Sequence, residues 1–160
     1  MKVRPGVFCD TSFFIRLLDK NDPLHNNAKG YFKYLSETGF QLMISTIAIA
    51  EYCVRGEINE LPLKNLQIVP FNLDHALRTA EFARIIFRNK GKLDLNERKI
   101  IPNDTKLFAQ ADRDKSVEYY LSSDSESLKI YNLLKNETNP KFTFIDLAIP
   151  FHTQFGVLDL

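Results

Sequence analysis

Four acidic residues occupy positions from which one site could be assembled. Asp10 and Asp124 each follow a short apolar run that is typical of a buried strand, Asp124 through two serines. Glu51 lies within an apolar helical segment, and Asp104 begins another helical segment. Carboxylates that lie close together repel one another, and their pKa values rise unless a cation neutralises them. Because hard divalent cations prefer oxygen ligands, these four carboxylates predict a site for Mg²⁺ or Mn²⁺.

A site of this kind is suited to phosphodiester hydrolysis. A divalent ion bridges phosphate oxygens, activates a water as nucleophile and stabilises the leaving oxygen. The three histidines are scattered along the chain and show no triad spacing, so no catalytic role is assigned to them. The four acids are therefore expected to be both the metal ligands and the catalytic residues.

Each acid also has a structural interpretation. The three aspartates stand where helix N-caps stand, although capping and metal binding do not exclude each other. Glu51 interrupts the apolar segment Ile47–Val54, which predicts a helix buried on most sides. A buried unpaired carboxylate is costly, so Glu51 must be neutralised, paired or bound to a metal. An ion pair with Arg55, four residues later, is the structural alternative.

Short apolar segments that alternate with helical segments predict the fold. The predicted strands are Val7–Cys9, Leu42–Ile44, Gln67–Phe71, Val117–Leu121 and Phe142–Ile145. Their alternation with helices predicts βαβ units and a parallel sheet covered on both faces, outside whose carboxyl ends ligands bind. The expected fold class is α/β, a three-layer α/β/α sandwich with a mostly parallel sheet of about five strands. The length favours a single domain over residues 1–160.

Local signals set the expected ends of the helices. Asp22-Pro23 predicts a helix start, with Asp as the N-cap and Pro at the first helical position, and Gly39 predicts the end of that helix. A long helix is predicted from Leu73 to Phe87. Its predicted inner positions are Leu73, Leu77, Ala80, Ala83, Ile86 and Phe87. The polar stretch 89–101 predicts an excursion or mobile loop.

The composition, 44% hydrophobic and 26% charged, is typical of a globular protein. No apolar stretch approaches the ~18 residues that span a bilayer, and the N-terminus lacks the apolar region of a signal peptide. Cys9 and Cys53 lie in apolar segments, which predicts two buried free thiols in a reducing cytoplasm. The expected location is therefore cytoplasmic, with no membrane partner.

The net charge of +1 means that binding of a polyanion requires local positive charge. Arg84 and Arg88 are one helical turn apart and share a face, and Lys106 lies close to one of the acids in sequence. These three cations are candidates for RNA binding, although an ordinary solvated helix face explains them equally well. One or both of Tyr119 and Tyr120, in a predicted strand, are expected in the core.

Taken in order, these segments resemble the PIN-domain nucleases, in particular the small toxin ribonucleases of the VapC type. The similarity covers nearly the whole chain. It lies in Asp10-Thr11-Ser12 after the first strand, in Ser45-Thr46 before the apolar helix that bears Glu51, in Asp104 at the start of a helix containing alanines, and in Asp124 after a strand.

The resemblance implies a three-layer α/β/α fold, dependence on Mg²⁺ or Mn²⁺, and endonucleolytic cleavage of RNA. It also implies frequent homodimers and, for the toxins, a cognate antitoxin. By the same resemblance the four acids match the metal-site acids, and small hydroxyl residues accompany them. Those hydroxyl positions are Thr11 or Ser12, and Ser45 or Thr46. Glu126 stands where some relatives have an additional Asp or Asn, although a surface helix residue explains it better.

Two other classes of function are alternatives. The first is a PIN-like protein without catalysis that binds RNA or a partner protein. The four acids argue against it, because a purely binding surface has no need to gather buried carboxylates. The second is a phosphatase of the haloacid dehalogenase type, which places a second Asp two residues after its nucleophile. That position is Ser12 here, which argues against the phosphatase.

Overall fold

The computed structural model describes residues 3–89 and 103–158, which form a parallel five-stranded sheet with helices on both faces. The strands are β1 (Gly6–Cys9), β2 (Gln41–Ser45), β3 (Leu66–Val69), β4 (Val117–Ser122) and β5 (Thr143–Asp146). The helices are α1 (Thr11–Leu18), α2 (His25–Glu37), α3 (Thr46–Tyr52), α4 (Leu73–Arg88), α5 (Asn103–Arg113), α6 (Ser125–Glu137) and α7 (Phe151–Phe155). The predicted α/β fold class is confirmed, and all five predicted strands are present.

The order of the strands is β3-β2-β1-β4-β5, so β1 lies at the centre of the sheet. It pairs with β2 on one side and with β4 on the other, with Cys9 opposite both Ile44 and Leu121. The chain order reverses between β1 and β4. In open parallel sheets the crevice outside the carboxyl ends of two such strands is the usual place for a ligand.

Alternate residues of each strand enter two separate cores, as the period of two of a β-strand requires. Val7 and Cys9 of β1 pack under α1, α2 and α7, whereas Phe8 packs under α4, α5 and α6. Both layers are closed by buried aromatic side chains, such as Tyr31 of α2 and Phe108 of α5. The sheet is thereby buried on both faces, which is why its strands read as continuous apolar runs.

Helix α2 does not begin where the sequence predicted. It begins at His25, and the residues before it form a turn instead. The Asp22 carboxylate closes this turn by accepting from the Leu24 N–H at 2.8 Å, and it binds Arg16 at 2.7 Å. Asp22 therefore caps this turn rather than the helix, whose N-cap is Leu24. Gly39 lies just beyond the helix with φ of 89°, a left-handed conformation that suits glycine.

The expectation that α3 is buried on most sides was wrong. Ala48 is its only fully buried residue, Glu51 is half-buried, and Val54 just beyond its end is 78% exposed. Cys9 is buried as predicted, but Cys53 is exposed. The apolar residues of this segment therefore form a partly exposed short helix rather than a core helix.

The predicted inner face of α4 was also wrong at four of its six positions. Leu73, Leu77, Ala80 and Phe87 are exposed, and only Ala83 and Ile86 are buried as predicted. In the first turns His75 and Thr79 face inward instead. The Asn72 side chain accepts from the His75 N–H at 3.1 Å, while the His75 ring accepts from the Asn72 N–H at 3.0 Å. This reciprocal cap turns the polar side chains of the first turns toward the protein, which hydrophobic periodicity cannot detect.

Most of the predicted excursion 89–101 lies outside the described residues, and the prediction of one domain over 1–160 stays a prediction. Asn89 is described, and it is the buried C-cap of α4. Among the residues described, no helix combines the length and apolar character needed to cross a membrane.

We expect Asp112→Ala to destabilise the fold, because Asp112 joins α4, α5 and the loop before β5. Its carboxylate binds Arg78 at 2.8 Å and accepts from the Lys141 N–H at 2.9 Å, with 5% of the side chain exposed. The expected loss, measured by urea unfolding, is about 2–3 kcal/mol. Glu81 is the other carboxylate bound to Arg78, and its side chain is 40% exposed. Glu81→Ala should therefore lower the free energy of unfolding by less than about 1 kcal/mol. Equal losses for the two variants would contradict this assignment.

Candidate functional site

Asp10 lies directly at the carboxyl end of β1, with 4% of its surface exposed. Its backbone N–H donates to the Leu121 carbonyl at 3.0 Å, which extends the β1–β4 pairing by one residue. One carboxylate oxygen caps α1 by accepting from the Thr11 N–H at 2.7 Å. The other accepts from the hydroxyls of Ser12 at 2.9 Å and Ser122 at 2.7 Å. The Asp10 carboxylate is therefore held in one orientation, and its predicted capping role is confirmed.

Burial is the largest influence on the ionisation of Asp10, and it raises the pKa. The hydrogen bonds from Ser122, Ser12 and the Thr11 N–H act in the opposite direction, and the charge of Asp124 raises the pKa again. The net pKa of Asp10 is raised from its ordinary value. Without a cation, the charged form of this carboxylate is disfavoured.

Asp124 follows β4 and is the N-cap of α6. Its carboxylate accepts from the Glu126 N–H at 2.8 Å, as the sequence predicted for a capping aspartate. Its own N–H donates to the Ser122 hydroxyl at 3.1 Å. The Ser122 hydroxyl thus connects Asp124 to Asp10 through two hydrogen bonds. Ser122 was not singled out from the sequence, although a serine at a strand end just before an acid is a usable signal.

Asp104, in the first turn of α5, interacts electrostatically with the other three acids. Burial raises its pKa, and the negative charges of Asp10, Asp124 and Glu51 raise it further, while the nearby Ser127 hydroxyl lowers it. The resulting pKa is about 7. Asp104 is therefore close enough to the other three acids for their charges to act on it, which is the behaviour expected of carboxylates that share a site.

Several buried hydroxyls near these acids in the chain have no hydrogen-bond partner among residues 3–89 and 103–158. They belong to Thr11 and Thr105, each directly after an acid, and to Tyr120 of β4. A buried hydroxyl without a partner costs about 1–3 kcal/mol, and native proteins rarely keep one without an ion or an ordered water to satisfy it. These hydroxyls therefore indicate that an ion or ordered water binds in this region.

The donor atoms available here are carboxylate and hydroxyl oxygens, which suit a hard cation such as Mg²⁺ or Mn²⁺. Within the part of the chain that the structure describes, no three Asp, Glu, His or Cys side chains already stand around one point as a set of metal ligands. The chemistry of the donors thus fits a divalent ion, and the carboxylates would need to turn toward it.

One cation that the sequence analysis did not select lies at the edge of this network. Arg16 of α1 donates through Nε to the Ser123 hydroxyl at 3.3 Å and binds Asp22 through Nη1 at 2.7 Å. The Ser123 N–H in turn donates to the Ser12 hydroxyl at 3.0 Å. The position of Arg16, on the helix that Asp10 caps, is the sequence signal that could have identified it.

The two hydroxyls before Glu51 have structural contacts. Ser45 is fully buried, caps α3 by accepting from the Ile47 N–H at 3.0 Å, and donates to the side chain of Gln110 in α5. Thr46 accepts from the Phe71 N–H at 3.4 Å. Gln110 also donates to the Val69 carbonyl at 3.2 Å. These contacts join the ends of β2 and β3 to α5, so Ser45 positions helices α3 and α5 relative to each other.

The predicted RNA-binding cations differ in their surroundings. Arg84 and Arg88 are exposed on α4, and Lys106 is half-buried and donates to Asn103 at 3.4 Å. Tyr120 is fully buried, which confirms its expected place in the core, whereas Tyr119 is half-buried.

The fold is shared with VapC structures. The chain is similar to a chain of VapBC2 from Rickettsia felis, crystallised bound to a DNA fragment from their promoter, with a TM-score of 0.59 and 14% identity over 88% of this chain and 98% of the other. It is similar to a chain of DNA-bound VapBC from Salmonella typhimurium, with a TM-score of 0.56 and 16% identity over 89% and 98%. The chain therefore has a PIN-like fold of the VapC kind, as the sequence predicted.

Comparison of sequences adds nothing to this structural likeness. No protein-family model matches the chain, and no curated protein matches it.

We expect Asp104→Asn to raise the melting temperature of the metal-free protein at pH 8. The pKa of Asp104 is about 7 in the folded protein against an ordinary 3.8, so its stabilising contribution is complete below pH ~4 and is lost as the pH rises through about 7. In EDTA the melting temperature of the wild type should therefore decrease as the pH rises across this range. The melting temperature of the variant should decrease less.

Glu118→Gln is the matched control, since Glu118 is an exposed carboxylate on β4, and it should follow the wild type. An Asp104→Asn protein that melts at or below the wild-type temperature at pH 8 would show that Asp104 is not under electrostatic repulsion.

Proposed function

We propose that this protein is a divalent-metal-dependent endoribonuclease that hydrolyses RNA phosphodiester bonds. The observation that carries the proposal is the burial of Asp104 within electrostatic reach of Asp10, Asp124 and Glu51, which together raise its pKa to about 7. A protein gains no stability by gathering acids in this way, so a cation and an anionic substrate are the physical reason for keeping them together.

Asp10, Glu51, Asp104 and Asp124 are the proposed ligands. A bound Mg²⁺ or Mn²⁺ would supply positive charge to the phosphate oxygens and make an attacking water more acidic. Asp10 is firmly held, because its carboxylate accepts three hydrogen bonds. It would therefore offer the ion a ligand of fixed orientation, and the other carboxylates would turn toward it.

The protonation of Asp104 follows from the same geometry. With a pKa of about 7, Asp104 can take up or release a proton near neutral pH when no cation is present. A cation favours the charged form of Asp104 and lowers its pKa. Cation binding therefore releases protons and strengthens as the pH rises from about 6 to about 8.

RNA as substrate, rather than another phosphodiester, is supported by the ordered set of acids and by the likeness of the fold to VapC structures. Thr11 and Ser12 accompany the first acid, as the resemblance implies. Because the similar structures are VapBC crystal structures, we propose a VapB-type antitoxin as a partner, together with a homodimeric state and a cytoplasmic location.

The direct test is cleavage of single-stranded RNA with Mn²⁺ or Mg²⁺. Replacing any one of the four acids by its amide, as in Asp10→Asn or Glu51→Gln, should lower the cleavage rate by at least about a hundredfold, because a charge that holds the cation is removed. Glu118→Gln should cleave as the wild type does. A wild type that binds RNA but cleaves nothing in either metal would be a non-catalytic binding module, and the enzymatic proposal would then be wrong.

Arg16→Gln should weaken RNA binding without changing affinity for the cation. A guanidinium next to Ser123 is well placed to contact a phosphate of the bound strand. The slope of log K against log salt is negative, and losing one phosphate contact reduces its magnitude by about 0.7 for single strands. The measurement is fluorescence anisotropy of labelled RNA in EDTA at several salt concentrations. Arg84→Gln is the comparison, and a reduced slope for Arg84→Gln but not for Arg16→Gln would place the RNA path over α4 instead.

A further inference from the structure

The chain contains a buried tyrosine that the proposed mechanism does not use. Tyr120 of β4 has no exposed surface, and its ring centroid lies 4.7 Å from that of Phe108 and 5.7 Å from that of Phe144. The phenol oxygen is a polar atom at the end of an otherwise apolar ring layer. It has no hydrogen-bond partner in residues 3–89 or 103–158. A buried hydroxyl in this condition indicates a water or a ligand as its partner.

Tyr120 lies between elements that carry two of the acids. Phe108, which packs on the Tyr120 ring, is one helical turn after Asp104 on the same face of α5. On the strand side, the residue after Tyr120 accepts from the Asp10 N–H. Burial is the largest influence that raises the pKa of Tyr120, and the charges of all four acids raise it further. The phenol is therefore close enough to the four carboxylates for their charges to act on it.

A second tyrosine in the same aromatic cluster has a hydrogen-bond partner for its hydroxyl. Tyr131 of α6 packs against Phe108 and Phe142, and its hydroxyl donates to the Phe142 carbonyl at 3.1 Å. The two tyrosines thus share aromatic neighbours and differ in whether their hydroxyl has a hydrogen-bond partner. The Tyr131 hydroxyl has a structural partner, whereas the Tyr120 hydroxyl has none among the described residues.

We propose that Tyr120 is a positioning residue of the metal site, whose hydroxyl donates a hydrogen bond through an enclosed water to the carboxylates when they hold a divalent cation. This inference rests on the proposed function. Such a bond keeps the carboxylates charged and oriented, so it strengthens cation binding. Groups that support metal ligands from behind typically contribute a factor of about ten or more to affinity.

The test is calorimetric titration of the full chain with Mn²⁺ alone, comparing wild type with Tyr120→Phe and Tyr131→Phe. Tyr120→Phe should weaken Mn²⁺ binding by about tenfold. It should leave the metal-free melting temperature the same or higher, since it removes only a hydroxyl without a partner. Tyr131→Phe should lower the melting temperature and keep the wild-type affinity for Mn²⁺, because it loses a structural hydrogen bond.

The outcomes separate this inference from the function on which it rests. If wild type and both variants bind Mn²⁺ with equal affinity, the role of Tyr120 is wrong while the metal site stands. If the wild type does not bind Mn²⁺ at all, both the site and the role of Tyr120 are overturned. A crystal structure of the wild type with Mn²⁺ gives a second measurement that needs no variant. A water within hydrogen-bond distance of the Tyr120 oxygen supports the inference, and a hydroxyl without one overturns it.

Discussion

The pairing of β1 with β4 is the constraint on which the rest of the structure depends. It joins segments far apart in sequence, and it brings the Ser122 hydroxyl to Asp10 at 2.7 Å. Asp124 follows two residues later and is tied to the same hydroxyl. The helices that leave these two strands are capped by the two aspartates, so the entry of α1 and α6 and the position of the acids are set by the same contacts. Burial then makes the charge of Asp10 costly, and this is the main cause of its raised pKa.

Much of this arrangement could be predicted from the sequence because it depends on local patterns. The apolar runs that form β1, β2 and β4 end where the sequence indicated, within a residue or two, and caps at Asp10 and Asp124 follow from residue type alone. The meeting of the acids could be expected once the sheet was expected to be parallel, because carboxyl ends of parallel strands share one edge.

The errors in α3 and α4 share one physical origin, which is that apolar character was equated with burial. In α4 the exposed Leu73 and the buried His75 reverse that rule, because the reciprocal cap with Asn72 sets the helix rotation. In α3 the same assumption placed Glu51 on a helix buried on most sides, where its charge would require a partner or a metal. Because that helix is partly exposed, the stronger support for a site comes from Asp104, whose pKa is raised by burial and by the charges of three other acids. Its energetics come from tertiary neighbours, which a pattern along one segment cannot show.

The contacts at the site also divide into two kinds with opposite effects on stability. Ser12, Ser122 and the N–H of Thr11 stabilise the charged form of Asp10, so they favour both folding and the proposed binding of a cation. The crowding of carboxylates around Asp104 favours the proposed cation binding alone, and the metal-free fold is less stable for it. Such conflicts between local energy and fold are expected where a protein has a functional site.

The central position of β1 has a consequence for how the protein is made. Asp10 leaves the ribosome before Ser122 and Asp124, and β1 has no partner on that side until β4 arrives. Domains fold as their segments become available, and pairings between distant segments form late. The nascent chain therefore carries an incomplete acidic centre until β4 and the start of α6 have been made. The proposed cleavage of RNA would begin only after that point of synthesis.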